Sequence, residues 1–332
     1  MGAAKSRSNK RIMKFLKFLG YTGLGALAAD FSAGAYIFNT TVVRENTSFK
    51  RTTSLTGVNW DRYDKERKEI FQKLDDSEKE DHYIKSYDGL KLHGQYFKGW
   101  YDEEPAVKRV AICFHGYTSQ GIGNNSAASM FFLANGFDVL FPDARAHGES
   151  EGKYIGFGCL DRFDGLEWVK FIQNMHKEAD AEERLEIYLY GVSMGGATVC
   201  MMSGLELPKC VKGIISDCAF TSAEYVFKTV IKNKYNLPVP PILFATNIIC
   251  KNVAGYGLNE CNSAIEVRKA KVPILFIHGS ADKFIPVEMC YEIFERCASR
   301  KDILIVEGAV HVESYYKARE EYENKMKSFF GF

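Results

Sequence analysis

Ile187-Tyr188-Leu189-Tyr190-Gly191-Val192-Ser193-Met194-Gly195-Gly196 is the stretch whose reading decides the fold. A β-prone apolar run ends in G-x-S-x-G, and Ala197 to Met202 can continue as a helix. This is the sequence form of a nucleophile elbow, a sharp strand-to-helix turn that lifts a serine out of the backbone. A serine hydroxyl attacks poorly until it is aimed and a base removes its proton. Gly191 and Gly195 flank the turn, where side chains would collide and where strained dihedrals are cheap for glycine. The helix start behind Ser193 turns N–H groups and a positive dipole end toward the reacting centre. The motif gains weight from its context: a strand before it, a helix after it, and acid and histidine partners downstream.

Outward from the elbow, strand-like and helix-like stretches alternate. Arg109 to Phe114, Asp138 to Phe141, Val211 to Ser216, Pro273 to Ile277 and Ile303 to Val306 read as strands. Ala127 to Asn135, Asp161 to Lys177, Pro286 to Cys297 and Glu313 to Phe330 read as helices. Such alternation implies an α/β fold, a mostly parallel twisted sheet with helices on both faces. Upstream, Tyr83 to Phe97 reads as a hairpin about Asp88-Gly89. Asn59 to Glu80 is a charged surface helix with a thin apolar side at Ile70, Phe71 and Leu74. Ligands of open α/β sheets bind at the carboxyl ends of the strands, and Ser193, Asp282 and His311 each follow one.

Residues 222–270 break the rhythm. They are aromatic and apolar, with Pro238, Pro240 and Pro241 in the middle, and they leave and rejoin the sheet at the edge carrying Ser193. So long a span without a strand is usually functional. The expectation is a helical cap, with Tyr225, Phe227 and Phe244 as its substrate-binding side chains.

The domain plan is therefore a basic, hydrophobic N-terminus at 1–43, a linker and charged helix at 44–82, and a main domain at 83–332. Lys5, Arg7, Lys10, Arg11, Lys14 and Lys17 precede a stretch, 18–43, whose only formal charge is Asp30. That length can cross a bilayer. Three readings compete: an uncleaved signal-anchor, a signal peptide cleaved near Ala26 to Ala35, and an interfacial helix. The anchor is favoured, and the positive-inside rule then puts the main domain outside the cytoplasm. Nine cysteines with no C-x-x-C pair read as free thiols and favour the alternative, a cytoplasmic location. A net charge of +1 over 332 residues gives no footprint for nucleic acid. No metal-ligand spacing is present, and no metal or organic cofactor is expected.

The residues H-G-Y-T at 115–118, D-A-R-A-H-G-E-S at 143–150, G-V-S-M-G at 191–195, H-G-S-A-D-K-F-I-P at 278–286 and G-A-V-H at 308–311 resemble the α/β-hydrolases, from about Tyr83 to Phe332. The chain is most similar to the bacterial dienelactone-hydrolase-related esterase and peptidase-like members. The chain order serine, aspartate, histidine is the one that fold requires. The resemblance implies a serine hydrolase with Ser193 as nucleophile, His311 as base and Asp282 as the acid that orients it. It implies oxyanion donors at the backbone N–H groups of Tyr117 and Met194. Rivals are His147 for the base and Asp217 or Glu313 for the acid. His115 and His278 read as loop-fixing. Ala146 stands where glycine is common in the family. The expected substrate is a small acyl ester, with a short peptide as the alternative. A serine at the elbow, not an aspartate, argues against a haloalkane dehalogenase.

Overall fold

The apolar runs around the elbow form the middle of one eight-stranded sheet. The computed structural model describes residues 25, 27–44, 57–123, 125–177 and 184–332. Its strands are β1 (Lys79–Lys85), β2 (Lys91–Phe97), β3 (Lys108–Phe114), β4 (Asp138–Pro142), β5 (Leu185–Val192), β6 (Val211–Asp217), β7 (Ile274–Gly279) and β8 (Lys301–Val306). Their order across the sheet is β1-β2-β4-β3-β5-β6-β7-β8. The β1–β2 and β2–β4 pairs are antiparallel, and from β4 through β3 to β8 every pair is parallel.

Period-2 alternation feeds two cores. Leu185, Ile187 and Leu189 of β5 face one side, while Tyr188, Tyr190 and Val192 face the other. The first face is covered by α4 (Asp161–Met175), α5 (Met194–Met202) and α9 (Val287–Arg296), through Trp168, Val169, Val199 and Ile293. The second is covered by α2 (Asp64–Asp75), α3 (Ser126–Ala134) and α11 (Arg319–Phe330), through Leu74, Phe131, Phe132, Tyr322 and Phe329. The charged stretch after Asn59 is thus a one-turn 3-10 helix, Trp60–Tyr63, followed by α2, with Ile70 and Leu74 buried. The expected closing helix from Glu313 is broken. A short α10 (Ser314–Lys317) ends at Ala318, whose φ of −137° and ψ of 49° are non-helical, before α11 begins.

The insertion at 222–270 is helical. It comprises α6 (Ala223–Thr229), α7 (Val239–Ile249) and α8 (Ser263–Glu266), with wide π-type turns at Val230–Lys234 and Cys250–Ala254. Its two ends are joined by the Ser222–Asn262 bridge.

The N-terminal expectation needs correction. Among the described residues no helix is long and apolar enough to cross a membrane, so a membrane location, a transmembrane helix and a signal-anchor over 18–43 are not supported. Residues 1–24 and 26, with the basic cluster, lie outside the described residues. The described part forms helix α1 over 27–41, which packs on the protein's own body. Ile37 and Val42 are fully buried and Phe38 nearly so, and all three join the first core. Gly34 lies so close to α7 that a Cβ there would meet Ala245 Cβ at 2.8 Å. The apolar residues that resemble a lipid-facing stretch therefore include a face that belongs to the core.

That packing is measurable. Ile37→Ala should destabilise the chain by about 2–4 kcal/mol, the usual cost of emptying a buried aliphatic site. Urea denaturation is the check, and a loss below about 0.5 kcal/mol, typical of a surface position, would detach α1 from the core.

Candidate active site

Ser193 sits between β5 and α5 at φ 57° and ψ −112°, outside the ordinary regions for a side-chain-bearing residue. Three contacts explain why the turn holds. The Ser193 N–H donates to the Asp217 carbonyl at 2.8 Å, tying the elbow to the end of β6. A Cβ on Gly191 would lie 2.2 Å from the Gly195 carbonyl oxygen, and one on Gly195 would lie 2.0 Å from that of Phe114. Both close approaches require glycine. The second also sets the start of α5 against the end of β3, beside His115, Gly116 and Tyr117.

Side chains from two other strand ends converge here. Ser193 Oγ is 2.8 Å from His311 Nε2, and His311 Nδ1 is 2.6 Å from Asp282 Oδ2. Asp282 Oδ1 accepts the N–H groups of Phe284 at 2.9 Å and Ile285 at 2.8 Å. His278 Nε2 lies 2.8 Å from the Ile285 carbonyl and 3.4 Å from Asp282 Oδ2. Burial opposes ionisation of Asp282, but the neighbouring His311, with hydrogen bonds from His278 and His311, outweighs it and holds the carboxyl well below the usual range. A carboxylate kept charged beside Nδ1 fixes the imidazole with its Nε2 toward the serine. Ser193, His311 and Asp282 are all buried.

The rivals have other partners. His147 Nδ1 lies 2.9 Å from the Arg145 carbonyl, and burial pushes its imidazole down to about 3. His115 Nε2 accepts the Ala144 N–H at 3.0 Å, which fixes the loop after β4. Glu313 accepts the Tyr63 hydroxyl at 2.9 Å and the Val310 N–H at 3.0 Å. Asp217 accepts the Tyr322 hydroxyl at 3.0 Å, and its Oδ1 has no hydrogen-bond partner among the described residues. Of the expected cap residues, Phe227 is buried and packs edge-on to Phe157 at 5.3 Å. Tyr225 is half-buried, whereas Phe244 is 64% exposed. Phe157 also stacks on Tyr117 at 5.4 Å, and Phe284 lies edge-on to His311 at 5.1 Å. Neither Phe157 nor Phe284 stands out in the sequence, since a lone phenylalanine in a loop carries no periodic signal.

Buried charged groups tie the loop 143–150 to its neighbours. Arg145 is buried and makes paired hydrogen bonds to Asp164 at 2.7 and 2.8 Å and to Asp88 at 3.0 and 3.1 Å. Asp143 accepts from Gly121 and Glu149 N–H groups and lies 2.7 Å from His93 Nδ1. The hydrogen bond to Asp143 raises the His93 imidazole to about 9. Ala146 takes φ 61°, the left-handed conformation that explains why glycine suits this position.

Residues 105–253 match the model of the serine aminopeptidase family S33. An uncharacterized protein of Bacillus subtilis, YqkD, is 27% identical over 261 residues, covering 79% of this chain and 82% of its own. Human monoglyceride lipase is 25% identical over 261 residues, covering 67% of this chain and 82% of its own. A solved esterase of Pyrococcus furiosus superposes with a TM-score of 0.61 at 22% identity, over 79% of this chain and 92% of that one. The chain has the α/β-hydrolase fold.

Asp217 supplies a test of the electrostatics. Burial raises its carboxyl from an ordinary 3.8 to about 6, against the Tyr322 hydrogen bond. The folded chain thus holds this proton where the unfolded chain releases it. The resulting stabilisation is complete below the ordinary value and is lost as pH rises through the folded one. Asp217→Asn should remove that fall, on the order of 3 kcal/mol, from the stability-versus-pH curve. Denaturant titrations at several pH values would contradict this if the slope were unchanged.

Proposed function

We propose that this chain is a serine hydrolase that cleaves carboxylic esters through an acyl-enzyme. The observation that carries the proposal is the unbroken relay from Asp282 through both ring nitrogens of His311 to Ser193 Oγ. In this reading His311 takes the Ser193 proton as the hydroxyl attacks the acyl carbonyl, then gives it to the leaving alcohol. Asp282 holds the tautomer and stabilises the imidazolium. The Met194 and Tyr117 N–H groups meet the developing oxyanion, one such donor being worth about 3–4 kcal/mol of barrier. Water repeats the sequence in reverse roles to release the acid. The resemblance to the dienelactone-hydrolase-related branch is a finer placement within this reading and rests on the sequence motifs.

The S33 match favours a second reading, an aminopeptidase-like amide hydrolase using the same groups. Such an enzyme needs a carboxylate for the substrate's terminal ammonium. Glu224, at the start of the insertion, is paired with Lys228 at 2.5 Å. The Tyr117, Phe157 and Phe227 rings pack on one another beneath this edge, an apolar setting that suits an acyl or aromatic ester of modest size better than a charged terminus.

Ser193→Ala should lower turnover of p-nitrophenyl acyl esters by about 10⁵–10⁶-fold with the fold intact. Asp282→Asn should cost about 10⁴-fold, and Asp217→Asn less than about tenfold because its carboxyl lies outside the relay. Steady-state kinetics on the three variants would contradict the assignment if Asp217→Asn were the more damaging. Ester and aminoacyl-amide substrates sharing one leaving group separate the two readings, and faster amide turnover would select the second.

A further inference from the structure

Residues 34–44 touch three separate parts of the molecule. Toward the helical insertion, Thr246 Oγ1 donates to the Gly34 carbonyl at 3.4 Å, Thr40 Oγ1 lies 3.3 Å from the Tyr235 hydroxyl, and the Tyr36 and Tyr235 rings meet edge-on at 5.6 Å. Toward the loop after β4, the Ile155 N–H donates to the Val42 carbonyl at 2.8 Å and the Arg44 N–H to the Lys153 carbonyl at 2.9 Å. The Arg44 guanidinium reaches further and donates to the Ser150 carbonyl at 2.5 Å and the Gly148 carbonyl at 2.6 Å. Toward the loop after β3, the Tyr117 hydroxyl donates to the Thr41 carbonyl at 3.0 Å. All three parts stand at the edge of the sheet that carries Ser193.

The Tyr117 contact is the consequential one. Tyr117 directly follows His115-Gly116, whose backbone abuts Gly195 at the start of α5. The next residue, Thr118, is held at φ 54°, a conformation that persists only when its surroundings impose it. The Tyr117 ring is stacked on Phe157 and its hydroxyl is fixed at Thr41, so the side chain is held at its face and at its tip.

We infer that the N-terminal segment 34–44 is part of the catalytic unit, and that Tyr117 acts through its hydroxyl bond to Thr41 as a positioning residue that sets the oxyanion-binding N–H. This rests on the serine-hydrolase reading above. Removing residues 34–44 takes away the anchor of the donor.

The test uses the full chain. Tyr117→Phe keeps the stacked ring and removes only the hydroxyl. The turnover number for p-nitrophenyl acetate should fall roughly tenfold, in keeping with the sensitivity of catalysis to small misplacement. KM should stay within about twofold and the melting temperature should be close to wild type. The rate of Ser193 phosphonylation by a fluorophosphonate should fall in parallel. Arg44→Met, which loosens the same segment from the other side, should act in the same direction, and the double variant should lose less than the product of the two single effects. If Tyr117→Phe fails to fold, Arg44→Met alone decides. Wild-type turnover and phosphonylation per folded molecule, with or without a lower melting temperature, would overturn the inference while leaving the serine-hydrolase reading standing. A wild-type chain that neither turns over ester nor accepts the fluorophosphonate would bring down both.

Discussion

A serine held at φ 57° and ψ −112° is the constraint on which the rest of the site depends. Such a backbone costs on the order of 1–3 kcal/mol and survives only if its neighbours over-determine it. Here they do. The end of β6 binds the Ser193 N–H, the end of β3 lies against Gly195, and Gly191 and Gly195 face each other too closely for side chains. The parallel pairing of β3, β5 and β6 in the middle of the sheet is what brings those three chain ends to one place. The elbow is thus a property of the sheet, and the loops carrying Asp282 and His311 follow strands β7 and β8 on the same edge.

Buried polar groups stiffen that edge. Arg145 is satisfied by two carboxylates, Asp143 by a histidine and two backbone donors, and Asp282 by two backbone donors and His311. Breaking one partner of such a set leaves a buried charge unpaired, which is far more costly than losing a surface pair. The loops therefore have few alternatives to the geometry they adopt. A relay between residues far apart in sequence can then be held within hydrogen-bond distance before any substrate arrives, which is the condition for positioned groups to lower a barrier.

Much of the fold is legible in the sequence because its signals are local. The Val-Ala-Ile-Cys and Ile-Tyr-Leu-Tyr runs, the Asp88-Gly89 turn and the alternation of strand with helix each report on a few neighbouring residues. The order of Ser193, Asp282 and His311 after strand-like runs already points all three to one edge. Less legible are features set by contacts distant in sequence. Hydropathy gives the same value to an apolar face against lipid and one against α7, so the stretch 18–43 reads as a membrane segment although Ile37, Phe38 and Val42 within it pack in the core. Phe244 resembles a pocket residue by composition, yet the helix turns it to solvent. The break at Ala318 carries no glycine or proline to announce it. The Tyr117–Thr41 bond spans 76 positions and leaves no mark in any window.

The central claim is that a strained serine, made nucleophilic by His311, reacts covalently with acyl-like electrophiles. The most direct measurement is to treat the folded full-length chain with a fluorophosphonate and locate the adduct by tandem mass spectrometry. The account predicts a single adduct on Ser193, lost when His311 is replaced by alanine. An adduct on another residue, or none on a chain shown to be folded, would contradict it.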